Sequence, residues 1–146
     1  AEALLDAYRG ADVRLMSVTD AAALAPHPMS RGASLRDVAD GIEIEVQGAN
    51  ALLILPDLPA RTGAEDRLLG VEIVAPERRQ LAVFYQLPGM TEIDRRSAFL
   101  VTVEAGLNQV AVRLPDEELA GPLVLGFGRA AGPDVLRSLE VRARPR

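Results

Sequence analysis

The densest group of chemically active side chains in the sequence lies in the segment Glu92–Ser97. Arg95 and Arg96 supply guanidinium donors there. Glu92 and Asp94 supply carboxylate acceptors, and both kinds of group form strong, charge-assisted hydrogen bonds. Such a cluster can grip the hydroxyl groups of a sugar or an acidic group. It is also typical of a solvated loop whose ion pairs add little stability. The solvated loop is the preferred interpretation, and ligand binding stays open as the alternative.

Side chains for nucleophilic or metal-dependent catalysis are scarce. The only histidine, His27, lies between Pro26 and Pro28, and there is no cysteine. A transition-metal site would have no second nitrogen or sulfur ligand, and a Ser-His-Asp system would have to use His27 as its base. No serine stands in the Gly-x-Ser-x-Gly pattern of the hydrolases. The sequence therefore predicts no catalytic residue, no metal site, no cofactor, and a solvated loop around His27.

Two further patterns have a simpler structural explanation than a chemical one. The acidic run Asp116–Glu118 is predicted to be a solvated turn, because it lacks the spaced oxygen ligands of a Ca²⁺ loop. The segment Gly126–Gly128 is superficially similar to a phosphate-binding loop, but it has no lysine and no following helix. Strand curvature, with a bulge at Gly126, is the preferred explanation for these glycines.

Length, composition and charge bound the classes of partner. The chain has 146 residues, 49% hydrophobic residues and a net charge of -5. It is predicted to form one domain over residues 1–146, with enough apolar side chains for a core. The negative charge argues against nucleic acid as a partner. No apolar run approaches the length of a membrane helix. The chain opens on Ala1 rather than Met, which predicts a processed or excised piece of a longer protein.

The hydrophobic pattern predicts an all-β fold with a short N-terminal helix. Residues 1–10 favour that helix, and residues 19–40 are predicted to be an irregular connection with one helical turn at Ala21–Leu24. From Gly41 onwards the pattern is that of short strands separated by turns, beginning with the strict alternation of Ile42–Val46. About nine strands at regular spacing are typical of an antiparallel β-sandwich. The predicted core contains Ile42, Ile44, Leu52, Ile54, Val71, Ile73, Val101, Val103, Val110, Val112, Leu123, Leu125, Leu139 and Val141.

The second half of the chain carries a family resemblance. Its strand pattern runs through Gly70–Ile73, Leu81–Gln86, Phe99–Asn108, Val110–Pro115 and Val135–Val141. This pattern resembles the galactose-binding-domain-like jelly-roll sandwiches of bacterial polysaccharide-associated and envelope proteins. The resemblance implies a jelly-roll β-sandwich and, as a hypothesis, an association with carbohydrate. The fold also serves protein contacts and spacing, so the resemblance alone does not fix the function.

Two functions follow from these observations as hypotheses. The first is a non-catalytic accessory domain of an extracytoplasmic bacterial protein, periplasmic or secreted, with polysaccharide as its ligand. The alternative is a protein-interaction or spacer domain of an envelope or secreted assembly that has no sugar site. An enzyme is not predicted.

The ligand site is predicted at loops on one end of the sandwich. The Pro88–Ser97 loop is charged and follows a strand bearing Tyr85, whose ring offers a stacking face. Phe84 and Tyr85 must point to opposite faces of that strand, so only one of them can stack on a ligand. The Pro56–Asp66 loop adds Asp57 and Arg61 if it lies at the same end.

Overall fold

The computed structural model describes residues 2–11, 13–26, 33–46, 51–60, 64–89, 97–128 and 133–145. Helix α1 spans Glu2–Ala7. A 3-10 turn at Ala21–Ala23 is capped by Asp20, whose carboxylate accepts a hydrogen bond from the Ala23 amide at 3.2 Å. The short helix and the helical turn predicted from the sequence are both present.

Eleven antiparallel strands make up most of the described chain. They are β1 (Val13–Val18), β2 (Ala25–Pro26), β3 (Ala33–Val38), β4 (Gly41–Val46), β5 (Leu52–Ile54), β6 (Glu65–Ala75), β7 (Arg79–Phe84), β8 (Ala98–Val103), β9 (Gly106–Arg113), β10 (Val124–Gly126) and β11 (Asp134–Pro145).

The strands form two sheets that face each other across one core. Sheet I has the order β3-β4-β11-β6-β9, and β1 pairs with β11 as well. Sheet II has the order β2-β5-β10-β7-β8. Inward side chains of both sheets belong to a single buried cluster, as an antiparallel sandwich requires. The predicted all-β antiparallel sandwich is confirmed.

Most of the predicted core residues lie in this cluster, but two were assigned to the wrong face. Leu52 and Ile54 are only half-buried, whereas Leu53 and Leu55 are buried in the core. The apolar run Ala51–Leu55 has no alternation from which to read the strand's phase, and a one-residue slip exchanges the faces. Val101 is half-buried against the core. The confirmed core residues are Ile42, Ile44, Val71, Ile73, Val103, Val110, Val112, Leu123, Leu125, Leu139 and Val141.

Residues 19–40 were predicted to be an irregular connection, but they contain the two strands β2 and β3. The prediction was therefore wrong for these two strands. β3 forms a hairpin with β4 through the turn residues Ala39 and Asp40. β3 is an edge strand of sheet I, so most of its described side chains are exposed or half-buried. Its sequence therefore lacks the apolar alternation that usually indicates a strand. Gly41 closes the turn with φ +146°, and a Cβ there would lie 2.2 Å from the carbonyl oxygen of Leu136.

Several strands extend further than their sequence pattern indicated. β6 begins at Glu65, inside the predicted Pro56–Asp66 loop, and β9 begins at Gly106, four residues before the pattern that starts at Val110. In both places the strand continues through polar or glycine residues because the neighbouring strand supplies backbone hydrogen bonds. Within the described part of the chain, no helix has the length and hydropathy to span a membrane.

The outward face of sheet I carries several ion pairs. Arg36 donates to Glu43 at 2.8 Å across β3 and β4. Glu140 on β11 pairs with Arg14 on β1 at 3.2 Å and with Arg142 at 2.7 Å. Cross-strand ion pairs of this kind are typical of a sheet face that meets water.

Candidate functional site

The outward face of sheet II differs from that of sheet I because apolar side chains dominate it. In β7, Leu81 and Val83 are buried in the core, so Gln80, Ala82 and Phe84 point outward. The strand register then places outward residues of the neighbouring strands in rows. One row is Ile54, Val124, Phe84 and Ala98, and the next row is Leu52, Gly126, Ala82 and Leu100.

A cleft of about 310 Å³ lies on this face, and we call it the sheet II cleft. Its volume is at the lower end of the range of small-ligand sites, roughly 300–1,000 Å³. Leu100 at its margin is 63% exposed. The lining residues are Leu52, Gln80, Ala82, Phe84, Ala98, Leu100, Gly126 and Gly128.

The cleft has a floor of small residues and walls of large ones. Gly126 and Ala82 are paired neighbours on β10 and β7 and form the floor. Leu52 on β5 stands on one side, and Leu100 on β8 stands on the other. From Gln80 to Phe84 the cleft follows five residues of β7, or roughly 13 Å over four steps at the usual rise of a strand. That length suits a short stretch of an extended ligand.

Phe84 is the aromatic ring of this face. Its strand neighbour Tyr85 points the other way, is half-buried and packs against the core. The Tyr85 and Phe99 ring centroids are 5.2 Å apart with an interplanar angle of 37°. Tyr8 and Phe127 are buried, so they offer no ring face to a ligand. Of the neighbouring rings Phe84 and Tyr85, the one at the sheet II cleft is therefore Phe84.

The cleft is electrically neutral along its described lining. None of the eight described residues that line it is charged, and the exposed amide of Gln80 is the polar side chain among them. Such a surface favours apolar contact with a few hydrogen bonds and offers no counter-charge to an anionic ligand.

The loop site predicted from the sequence is described only in part. Glu92, Asp94, Arg95, Arg96 and Arg61 lie outside the described residues, as does His27. Asp57 is exposed after the end of β5, and Tyr85 follows the end of β7. Ile54 and Phe84 both pair with Val124, so these two connections leave sheet II at the same end. That arrangement is the one that the loop prediction required, and the role of these residues stays a prediction.

Asp57 borders a second, polar cleft of about 320 Å³ at this end, which we call the loop-end cleft. The buried Arg67 lies in its wall and donates through Nη1 to the carbonyl oxygen of Pro59 at 3.4 Å. Glu118, from the exposed acidic turn, borders it as well. Within the described ranges, no group of three or more His, Cys, Asp or Glu side chains could hold a metal ion.

The sequence interpretation missed the residues of the sheet II cleft, although two signals were present. The unbroken apolar runs Ala51–Leu55 and Ala98–Val101 are typical of strands that are apolar on both faces. Gly126 pairs with Leu52 and Ala82 without a register shift, so the predicted bulge is not present. A glycine inside a regular strand also marks a close approach of another group, and here that group is Phe84.

The structure is similar to solved carbohydrate-binding modules. "BiXyn10A CBM1 APO" matches with a TM-score of 0.63 and 9% identity over 90% of this chain and 99% of that chain. The "xylan-binding module CBM15" matches with a TM-score of 0.56 and 17% identity over 90% and 97%. Xylanase10C from Cellvibrio japonicus, in complex with xylopentaose, matches with a TM-score of 0.54 and 18% identity over 87% of this chain and 28% of that chain.

By sequence, no family model matches the chain, and no curated protein matches it either. Structural likeness at such low identity establishes the fold. The jelly-roll β-sandwich that the sequence resemblance implied is therefore confirmed.

Proposed function

We propose that this chain is a non-catalytic accessory domain that binds a neutral polysaccharide in the sheet II cleft. The observation that carries the proposal is the contrast between the two outward faces. Sheet I presents ion pairs to water, whereas sheet II presents a cleft of apolar side chains with one aromatic ring and one amide. Exposed apolar patches that are shaped into a cleft mark binding sites.

The chemistry of a sugar ring suits this lining. A pyranose has a face of C–H groups that packs on an aromatic or aliphatic surface, and an edge of hydroxyl groups that forms hydrogen bonds. Phe84, Leu52 and Leu100 provide the apolar contacts. The amide of Gln80 can both donate to and accept from hydroxyl groups.

The fold likeness supports the same proposal. Two of the similar structures are carbohydrate-binding modules, and a third similar region makes up 28% of a xylanase chain. A comparable role here makes residues 1–146 one accessory domain attached to a longer protein. Polysaccharide ligands lie outside the cytoplasm in most settings, so the proposal includes an extracytoplasmic location.

Calorimetric titration tests the proposal. We expect linear neutral hexasaccharides, such as xylohexaose or cellohexaose, to bind with a Kd on the order of 0.1–1 mM, since one aromatic ring in a small cleft yields roughly 4–5.5 kcal/mol. An oligogalacturonate of equal length should bind at least about tenfold more weakly, because the described lining offers no counter-charge.

Two results would contradict the proposal. If no neutral oligosaccharide binds at concentrations up to several times the expected Kd, the protein-interaction or spacer alternative is favoured. Tighter binding of the acidic oligosaccharide would indicate that the ligand binds at the charged loops, where Arg95 and Arg96 were predicted to act.

A further inference from the structure

Two neighbouring side chains lie so close to Gly126 that they leave too little room for a side chain at this position. A Cβ built on it would lie 2.8 Å from Cε2 of Phe84 and 3.2 Å from Cδ2 of Leu52. Its φ is not in the left-handed region, unlike that of Gly128 two residues later. The glycine at this position is therefore required by the space above it and not by its backbone conformation.

The side chains of Phe84 and Leu52 extend into the space above Gly126. Phe84 pairs with Val124, so Gly126 is its diagonal neighbour on β10, which is a distance that aromatic side chains span. Side chains on a strand usually stand perpendicular to the sheet. Because Cε2 of Phe84 lies only 2.8 Å from the position that a Cβ of Gly126 would occupy, the ring edge reaches over the floor of the cleft.

We propose that Gly126 is a positioning residue that sets the tilt of the Phe84 ring and thereby the shape of the sheet II cleft. This inference rests on the proposed function. A methyl group at position 126 would displace the ring edge and the Leu52 methyl group, both of which are ends of flexible side chains, so the fold persists while the cleft is reshaped. Ala82, the paired neighbour, keeps the floor low beside Gly126.

A double-mutant cycle tests this role. Gly126→Ala should weaken binding of the neutral hexasaccharide at least about fivefold, because one added methyl group forces its neighbours off their preferred positions. In the Phe84→Ala background the same substitution should change the affinity less than about twofold, since the ring that Gly126 positions is absent.

The matched control is Gly70→Ala in β6 of sheet I. A Cβ there would meet Cδ2 of Leu5 at 3.6 Å, which is an ordinary contact, so the affinity should change less than about twofold. Equal losses from Gly126→Ala in both backgrounds would show a merely structural role and would overturn the inference. No loss in either background would overturn it as well.

An NMR measurement on the unliganded protein tests this inference independently of the proposed function. In the unliganded wild type, we expect nuclear Overhauser effects between the ring protons of Phe84 and the α-protons of Gly126. Their absence would overturn the positioning role whatever the binding data show. If they are present and the wild type binds no oligosaccharide, the proposed function fails, and the ligand-related part of the inference fails with it while the ring contact stands.

Discussion

Replacing Arg79 with methionine is expected to lower the free energy of unfolding by about 3–5 kcal/mol, because it leaves a buried carboxylate without its counter-charge. Arg79 is the first residue of β7 in sheet II, and Asp134 is the first residue of β11 in sheet I. Their side chains form an ion pair and are only 5% and 0% exposed, respectively. The pair therefore joins the two sheets inside the sandwich.

The surroundings of the pair explain why a single substitution is costly. The Nη1 group of Arg79 donates to the carbonyl oxygen of Phe127 at 3.5 Å, and the guanidinium carbon lies 5.1 Å from the centroid of the Phe127 ring. Burial lowers the pKa of Arg79, while the charge of Glu77 acts in the opposite direction. An arginine nevertheless stays protonated in proteins, so the charge must be balanced where it lies.

Urea denaturation at neutral pH measures this effect, and Arg78→Met is its matched control. Arg78 pairs with Glu104 at 3.4 Å, but these side chains are 72% and 64% exposed, so the loss should stay below about 1 kcal/mol. Arg79→Met combined with Asp134→Leu should recover most of the stability, because an apolar pair replaces two buried charges. A loss from Arg79→Met as small as that of the control would contradict the account of the ion pair.

The second large effect concerns ligand binding. Phe84→Ala should weaken binding of the neutral hexasaccharide by roughly thirtyfold, which corresponds to the ~2 kcal/mol typical of removing an aromatic anchor from a binding site. The ring lies on the outward face of sheet II and not in the core, so the melting temperature should fall only slightly.

Two controls accompany Phe84→Ala. Leu107→Ala removes another exposed apolar side chain, on β9 of sheet I, and should leave the affinity unchanged. Tyr85→Ala removes the neighbouring ring, which packs against Phe99 and the core, and should lower the melting temperature more than Phe84→Ala does. If Tyr85→Ala abolishes binding and Phe84→Ala does not, the ligand lies at the predicted loop site.

Strands with strict alternation were predictable from the sequence. Ile42–Val46 lies within β4, and its alternating residues Ile42 and Ile44 are buried. An alternating pattern fixes both the element and its phase, because inward and outward residues differ in polarity. β3 was missed because an edge strand with polar side chains lacks that difference.

The cleft could not be predicted for a related reason. Leu52, Ala82, Leu100 and Gly126 lie on four strands that are far apart in the sequence, and only the order of the strands in sheet II brings them together. Strand order depends on long-range pairing that a single sequence pattern does not encode. The residues of the loop prediction, in contrast, were chosen because each charged side chain can be identified from the sequence alone.

Following the amide resonances of the protein during a titration with a neutral oligosaccharide tests whether the sheet II cleft binds carbohydrate. With xylohexaose or cellohexaose, we expect the shifting amides to belong to β5, β7, β8 and β10, with Gly126 and Ala82 among the largest shifts. Changes confined to Asp57, Tyr85 and the acidic turn at Glu118 would contradict the sheet II cleft as the binding site. No change at saturating sugar would contradict carbohydrate binding by this domain.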